Sequence, residues 1–174
     1  GLGSTDYFKT QIKFEFNEPL MQMDGMDRLV FFMSSELGYI ESFKYDDAIS
    51  PIELYKMGGN GLGAFGVTPL RGYTDETVGE ANGGRVMAKH VAELRFAISQ
   101  SQMPIYIYAF AEAGNVWSSL SKADPFTLNR SAGLGIQMMM NPIGVIGFSY
   151  GYGFDNPNTG LKPSGWNFLF HLGQ

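Results

Sequence analysis

One arginine in the middle of the chain and two isolated carboxylates downstream are the residues that could act together chemically. Arg71 stands in a glycine-rich segment, and Glu93 and Glu112 each stand among apolar neighbours. A guanidinium can pair two carboxylates because its planar fork carries five N–H donors. We therefore predict ion pairing that fixes a loop, with a solvated loop arginine as the alternative. The loop motif consists of Leu70, Arg71, Gly72 and Tyr73.

The other polar residues give no enzyme signature. His90 and His171 lack the spacing of a metal site, and residues 58–63 resemble a phosphate loop in composition only, because no Lys-Ser/Thr pair follows. No serine stands in a nucleophile-elbow context. The chain has no cysteine, which excludes disulfides and thiolate metal sites within it. We expect neither enzymatic activity nor a metal or other cofactor.

The segments that carry the two carboxylates alternate apolar and polar side chains with a period of two, which is typical of β-strands. Glu93 falls on the polar face of one predicted strand and Glu112 on that of the next. Antiparallel neighbours can bring two such side chains within reach of one guanidinium. The sequence predicts strands over 6–17, 28–41, 85–99, 104–117, 130–140, 145–154 and 165–173, with a turn over 18–27.

A long segment, residues 42–84, separates the second and third predicted strands and contains Arg71. Loops longer than about 12–15 residues are usually functional or disordered. Apolar residues such as Tyr45, Leu54 and Tyr55 argue against disorder here. We predict that the loop folds inward and packs against the interior of the sheet, with a short helical turn over 51–57.

Short and long connections alternate along the chain. Those near 18–27, 100–103 and 141–144 are short, whereas 42–84, 118–129 and 155–164 are longer. This asymmetry is typical of transmembrane β-barrels. The predicted fold class is all-β, an antiparallel transmembrane β-barrel with its apolar face toward lipid. Unpaired strand edges are costly in a bilayer, and about seven strands do not close an ordinary barrel. We therefore expect this chain to be the C-terminal part of a larger barrel.

Composition and charge agree with this class. Charged residues make up 17% of the chain, below the ~25% of ordinary soluble domains. The net charge of -5 argues against a nucleic-acid partner, since phosphate binding needs a basic surface.

The last predicted strand has a pattern of its own, in which large apolar side chains alternate between two glycines. One more amphipathic strand accounts for this pattern. A signal for the barrel-assembly machinery, which recognises strands that end in alternating aromatics, accounts for it as well. The residues concerned are Gly165, Trp166, Phe168, Phe170 and Leu172.

Motifs along nearly the whole chain resemble those of the BamA-type outer-membrane protein assembly factors. Residues 70–73 are similar to the Val-Arg-Gly-Phe motif on their sixth extracellular loop, and residues 92–96 to the following strand. Residues 110–117 resemble the next strand, where an acid that is commonly Asp is Glu112 here. Residues 130–135 and the ending also fit. The same superfamily holds TamA and the two-partner-secretion transporters.

The resemblance implies that residues 1–174 are the last seven of sixteen strands, with 42–84 an extracellular loop folded into the lumen. Nine strands and the POTRA domains would lie outside this chain. Such proteins fold and insert β-barrel proteins into the bacterial outer membrane through a lateral seam between the first and last strands. The implied partners are outer-membrane lipids, nascent β-barrel clients and accessory lipoproteins. The alternatives are a polypeptide-secretion transporter of the same superfamily, a passive porin-like barrel and a soluble β-sandwich.

Overall fold

Seven long antiparallel strands form a single sheet within the described part of this computed structural model. The structure describes residues 6–23, 25–43, 49–59, 66–99, 103–140, 142, 144–156 and 164–172. In chain order the strands are β1 (Tyr7–Met23), β2 (Met26–Ser42), β3 (Lys56–Met57), β4 (Val67–Thr68), β5 (Val86–Ser99), β6 (Ile105–Trp117), β7 (Asn129–Met140), β8 (Gly144–Gly153) and β9 (Gly165–Leu172). The sheet order is β1-β2-β5-β6-β7-β8-β9, and the two-residue strands β3 and β4 pair in parallel apart from it.

The connections contain little regular structure. A short 3₁₀ helix, Leu120–Lys122, lies between β6 and β7. Among the described residues, no helix is both long and apolar enough to cross a membrane. Several predicted features lie outside these residues: the connections at 100–102, 141, 143 and 157–163, as well as Tyr45, residues 60–63 and Gly173.

Cross-strand register sorts the side chains onto two faces. On the outward face Ile107 stands opposite Phe96 and Ile136, and it is 44% exposed. On the inward face Glu112 stands opposite Val91 and Ser131, and all three are buried. Because strand side chains alternate, each predicted amphipathic strand contributes side chains to both the outward and the inward face. The apolar outward face and the mixed inward face agree with the prediction for a barrel wall.

The first hairpin is longer than predicted. β1 and β2 continue through the segment predicted as a turn and are paired as far as Met23 and Met26. Gly25 has a φ of 74°, as a tight hairpin turn requires. Pro19 lies in β1 beside a register shift, since proline has no N–H for the ladder. The prediction that residues 18–27 form a turn was wrong, because the register shift lets β1 continue past Pro19.

The segment between β2 and β5 is folded rather than open, as predicted. Its interior joins side chains of the loop to inward-facing side chains of the wall. The helical turn predicted over 51–57 does not form, because backbone groups there bond across the loop. Tyr55 N donates to Gly84 O at 2.9 Å, and Gly58 N donates to Thr68 O at 3.0 Å. The placement of this loop on the extracellular side stays a prediction.

Candidate functional site at the docked loop tip

Arg71 is buried against the inward face of the wall and contacts both predicted carboxylates. Its Nη2 lies 2.5 Å from Glu93 Oε1 and 2.7 Å from Glu112 Oε1. Its Nε donates to Glu112 Oε1 at 2.9 Å, and its backbone N–H donates to Glu112 Oε2 at 2.7 Å. Glu112 therefore holds both the side chain and the backbone of Arg71, whereas Glu93 holds only the guanidinium.

The register of β5 and β6 explains why one guanidinium reaches both acids. Glu93 stands opposite Phe110, and Glu112 stands opposite Val91, so the two carboxylates are diagonal neighbours on the inward face. Diagonal side chains of an antiparallel pair lie about 7–8 Å apart at the backbone, a gap that a guanidinium can bridge. The alternative of a solvated loop arginine does not hold, since the whole residue is only 8% exposed.

Aromatic rings and further charges complete the surroundings of Arg71. Its Cζ lies 3.9 Å from the ring centroid of Phe110 and 5.3 Å from that of Tyr108. Such stacking is favourable for a guanidinium where water is excluded. Burial alone would lower the pKa of Arg71, but the Glu112 and Glu93 carboxylates raise the pKa above its ordinary value. Arg71 therefore remains charged at any physiological pH.

Gly72 lets the loop tip approach the wall at backbone distance. Its φ is 87°, and a Cβ placed there would lie 2.9 Å from the backbone N of Gly153. A Cβ at Gly153 would in turn lie 2.5 Å from Gly72 O. Asn167 Nδ2 on β9 donates to Gly72 O at 2.8 Å. Only glycine fits at both surfaces of this contact.

Sequence reasoning missed this glycine surface, although a signal for it was present. Several positions on the inward faces of β7 and β8 are glycines. In an amphipathic strand, such a run indicates close approach by another backbone or a large side chain. The residues are Gly133, Gly135, Gly147, Gly151 and Gly153, and a Cβ at any of them would lie within 3.0 Å of a neighbouring atom.

Tyr73 fastens the tip to the ends of β7 and β8. Its hydroxyl donates to Arg130 O at 2.6 Å and accepts from the backbone N–H of Asp155 at 3.3 Å. The side chain is fully buried, and burial raises the pKa of the Tyr73 phenol to about 12. Leu70, also fully buried, donates its backbone N–H to Gly59 O at 3.1 Å. All four residues of the predicted motif thus take part in the docked tip.

Replacing Tyr73 by Phe is expected to weaken docking without moving the ring. The variant loses the hydrogen bond to Arg130 O and leaves the Asp155 N–H without that acceptor, a cost of about 1 kcal/mol. The measurement is the urea midpoint of unfolding of the detergent-solubilised protein. Tyr150→Phe, at a half-exposed outward position, is the matched control and should leave the midpoint unchanged. Equal midpoints for both variants would contradict a role for the Tyr73 hydroxyl.

β9 is the closing strand of the predicted barrel, and the residues singled out on it lie apart from Arg71. Gly165 begins β9 with a φ of 85°, and all four of the predicted large side chains are on the outward face. Trp166 stacks on Tyr150 with ring centroids 4.6 Å apart. The contact between this strand and the loop tip comes instead from Asn167, which sequence reasoning did not single out. The outward residues of β9 are Trp166, Phe168, Phe170 and Leu172.

Three consecutive residues of the tip therefore contact five strands or their ends. Arg71 binds β5 and β6 through the two carboxylates. Gly72 packs on β8 and accepts from β9, and Tyr73 binds β7 together with the residues that follow β8. Among the described residues, no group of three or more His, Asp or Glu side chains is arranged to hold a metal.

Comparison with known protein families matches residues 1–174 to the Omp85 superfamily domain. The chain belongs to the Omp85 superfamily. Among solved structures, this Omp85 chain is similar to the crystal structure of BamA from Haemophilus ducreyi lacking POTRA domains 1-3, with a TM-score of 0.71 and 22% identity. The match covers 94% of this chain and 34% of that one. No curated protein matches.

Membership of the Omp85 superfamily confirms three predictions. The chain is barrel wall with a BamA-type fold, that fold is a partial, unclosed β-barrel, and its location is the bacterial outer membrane. The outward apolar face therefore contacts outer-membrane lipid. The superfamily acts in the insertion and transport of outer-membrane proteins.

Proposed function

We propose that this chain supplies the wall, docked loop and closing strand of an assembly factor that folds β-barrel proteins and inserts them into the outer membrane. The observation that carries the proposal is the tie between the docked tip and β9 in a chain of the Omp85 superfamily, since Asn167 on β9 donates to Gly72 O. In the whole barrel, β9 would meet the first strand at a lateral seam. When that seam opens, the edge of β9 would present backbone N–H and C=O groups with which a client strand pairs.

The proposed activity requires no covalent chemistry. A client strand exchanges backbone hydrogen bonds with water for hydrogen bonds with β9, and its apolar side chains then enter lipid. We therefore propose that the protein is not an enzyme. Arg71 would act by bracing the wall, because the tip that it fastens also holds Asn167 of the closing strand. Nascent β-barrel proteins and accessory lipoproteins would be the protein partners.

Site-specific cross-linking tests the proposal, because these 174 residues contain no other cysteine that would react. In the full-length protein, Phe168→Cys puts one outward thiol on β9. Met138→Cys puts one outward thiol on β7, which β6 and β8 pair on both edges. A client barrel with one cysteine in its last strand is expected to cross-link to Phe168→Cys and not to Met138→Cys. Equal yields at the two positions would overturn pairing at β9.

A second candidate function, polypeptide secretion through the lumen, has an observation in its favour. A cavity of about 710 Å³ lies on the inward face and is lined by side chains of both charge signs, including Lys9, Glu36 and Lys89. Lys9→Cys in the same experiment distinguishes the two functions. A polypeptide secreted through the lumen would cross-link at the inward Lys9→Cys and not at the outward Phe168→Cys, whereas a passive porin would cross-link at neither.

A further inference from the structure

Each carboxylate that receives Arg71 has a second cation on the wall itself. Arg95 Nη2 lies 2.7 Å from Glu93 Oε2, the oxygen that Arg71 does not contact. Lys89 Nζ lies 3.9 Å from Glu112 Oε1. Both cations belong to β5, so neither depends on the loop for its position along the wall.

The burial of these groups makes the second cations necessary. The Glu112 side chain is 2% exposed, that of Glu93 is 7% exposed, and that of Lys89 is 13% exposed. A carboxylate buried to this degree is costly when its cation is removed. Without Arg71, Lys89 and Arg95 still balance the two acids. Glu36 stands opposite Lys89 on β2, and its carboxylate attracts the Lys89 ammonium.

Arg95 is also held by contacts that are independent of the loop. Its Cζ lies 3.8 Å from the ring centroid of Phe32 on β2, and its Nε donates to Glu93 Oε2 at 2.7 Å. A guanidinium stacked on one ring and bonded to one carboxylate has little freedom to move. Glu93 is therefore already oriented on the wall before Arg71 reaches it.

We propose that Lys89 and Arg95 are positioning residues that keep Glu112 and Glu93 paired and in place with or without Arg71. The loop then docks reversibly on a preassembled acidic site. This inference concerns the docking equilibrium alone and does not depend on the proposed function.

A double-mutant cycle on the full-length protein in detergent tests the Lys89 part. The three variants are Arg71→Ala, Lys89→Met and the double variant, and the readout is the unfolding equilibrium constant in urea. Each single variant leaves Glu112 with one cation, whereas the double variant leaves it with none. We expect the double variant to be destabilised at least about tenfold more than the product of the two single effects. A double effect equal to that product would overturn the proposal.

Two further variants separate charge from packing. Lys13→Met removes an inward-facing lysine whose salt bridge is to Glu15, and combined with Arg71→Ala it should show no excess effect. Adding Glu112→Gln to the double variant should recover most of the lost stability, because it removes the buried charge. If the double variant does not fold, the triple variant is measured alone. Folding of the triple variant supports the proposal, and its failure to fold overturns it.

The Arg95 part is tested by the same design around Glu93. Arg71→Ala combined with Arg95→Met should exceed the product of the single effects, and Glu93→Gln should rescue the combination. Lys89→Arg and Arg95→Lys, which keep the charges, should behave like the parent protein in the Arg71→Ala background. A loss as large as that of the methionine variants would show that packing, not charge, matters.

Discussion

Replacing Arg71 by Ala is expected to release the loop tip from the wall while the sheet stays folded. The variant removes three side-chain hydrogen bonds to Glu93 and Glu112 and the stacking on Phe110, and it keeps the backbone hydrogen bond to Glu112. Because Lys89 and Arg95 still pair the two acids, the loss is that of the charge-assisted hydrogen bonds. Each such bond contributes about 1.5–3 kcal/mol, which corresponds to at least about a tenfold shift toward the undocked loop. Limited proteolysis within residues 42–84 measures the undocked fraction, and assembly of a client barrel in liposomes measures function.

Arg71→Lys is the matched control for the shape of the guanidinium. It keeps the charge but presents a single ammonium, which cannot bridge two diagonal carboxylates with fixed geometry. We expect a protease sensitivity between those of the parent and Arg71→Ala. If the loop of Arg71→Ala resists protease as the parent does, Arg71 does not hold it. If that loop is released but client assembly is unchanged, the bracing role in the proposed function is wrong.

Replacing Gly72 by Ala is expected to have a second large effect. A left-handed φ costs a non-glycine residue about 1–2 kcal/mol. At Gly72 the new Cβ would also lie within 3.0 Å of backbone atoms of residues 152 and 153, so the tip must move away from β8. Gly66→Ala separates the two contributions. It has a similar φ of 81°, and the nearest atom to its Cβ would be 3.8 Å away.

The measurement for both glycine variants is the urea midpoint together with protease sensitivity of the loop. Gly66→Ala should show only the cost of the backbone conformation, whereas Gly72→Ala should lose more stability and expose the loop. Gly153→Ala, which introduces a Cβ 2.5 Å from Gly72 O on the opposite surface, should resemble Gly72→Ala. Equal effects of Gly66→Ala and Gly72→Ala would mean that close approach to β8 is unimportant.

The alternation of apolar and polar side chains predicted the wall well, because each strand lies between lipid on one face and the interior of the barrel on the other. The strand that carries Glu112 begins and ends within one residue of its predicted limits, and Arg71 meets both of the acids chosen for it. Those residues were identifiable because a charge among apolar neighbours needs a partner. Alternation placed Glu93 and Glu112 on the same face of adjacent strands, which left few other partners for Arg71.

The interior of the loop could not be predicted in the same way. Residues 51–57 suit a helical turn locally, but the backbone of Tyr55 bonds to Gly84, far along the chain. Such pairing depends on where the whole loop lies, which no local pattern specifies. The contact between Asn167 and Gly72 was missed for the same reason. An asparagine on a strand gives no sign of which carbonyl it will reach.

The contact of three consecutive tip residues with five strands has a mechanical consequence. While the tip is docked, the wall from β5 to β9 is tied at one level by Arg71, Gly72 and Tyr73. We expect these five strands to move as one rigid body, with bending confined to the β2–β5 pairing and to the far side of β9. Releasing the tip would then let the curvature of the wall increase or decrease. The docked loop therefore restricts changes in the curvature of the barrel.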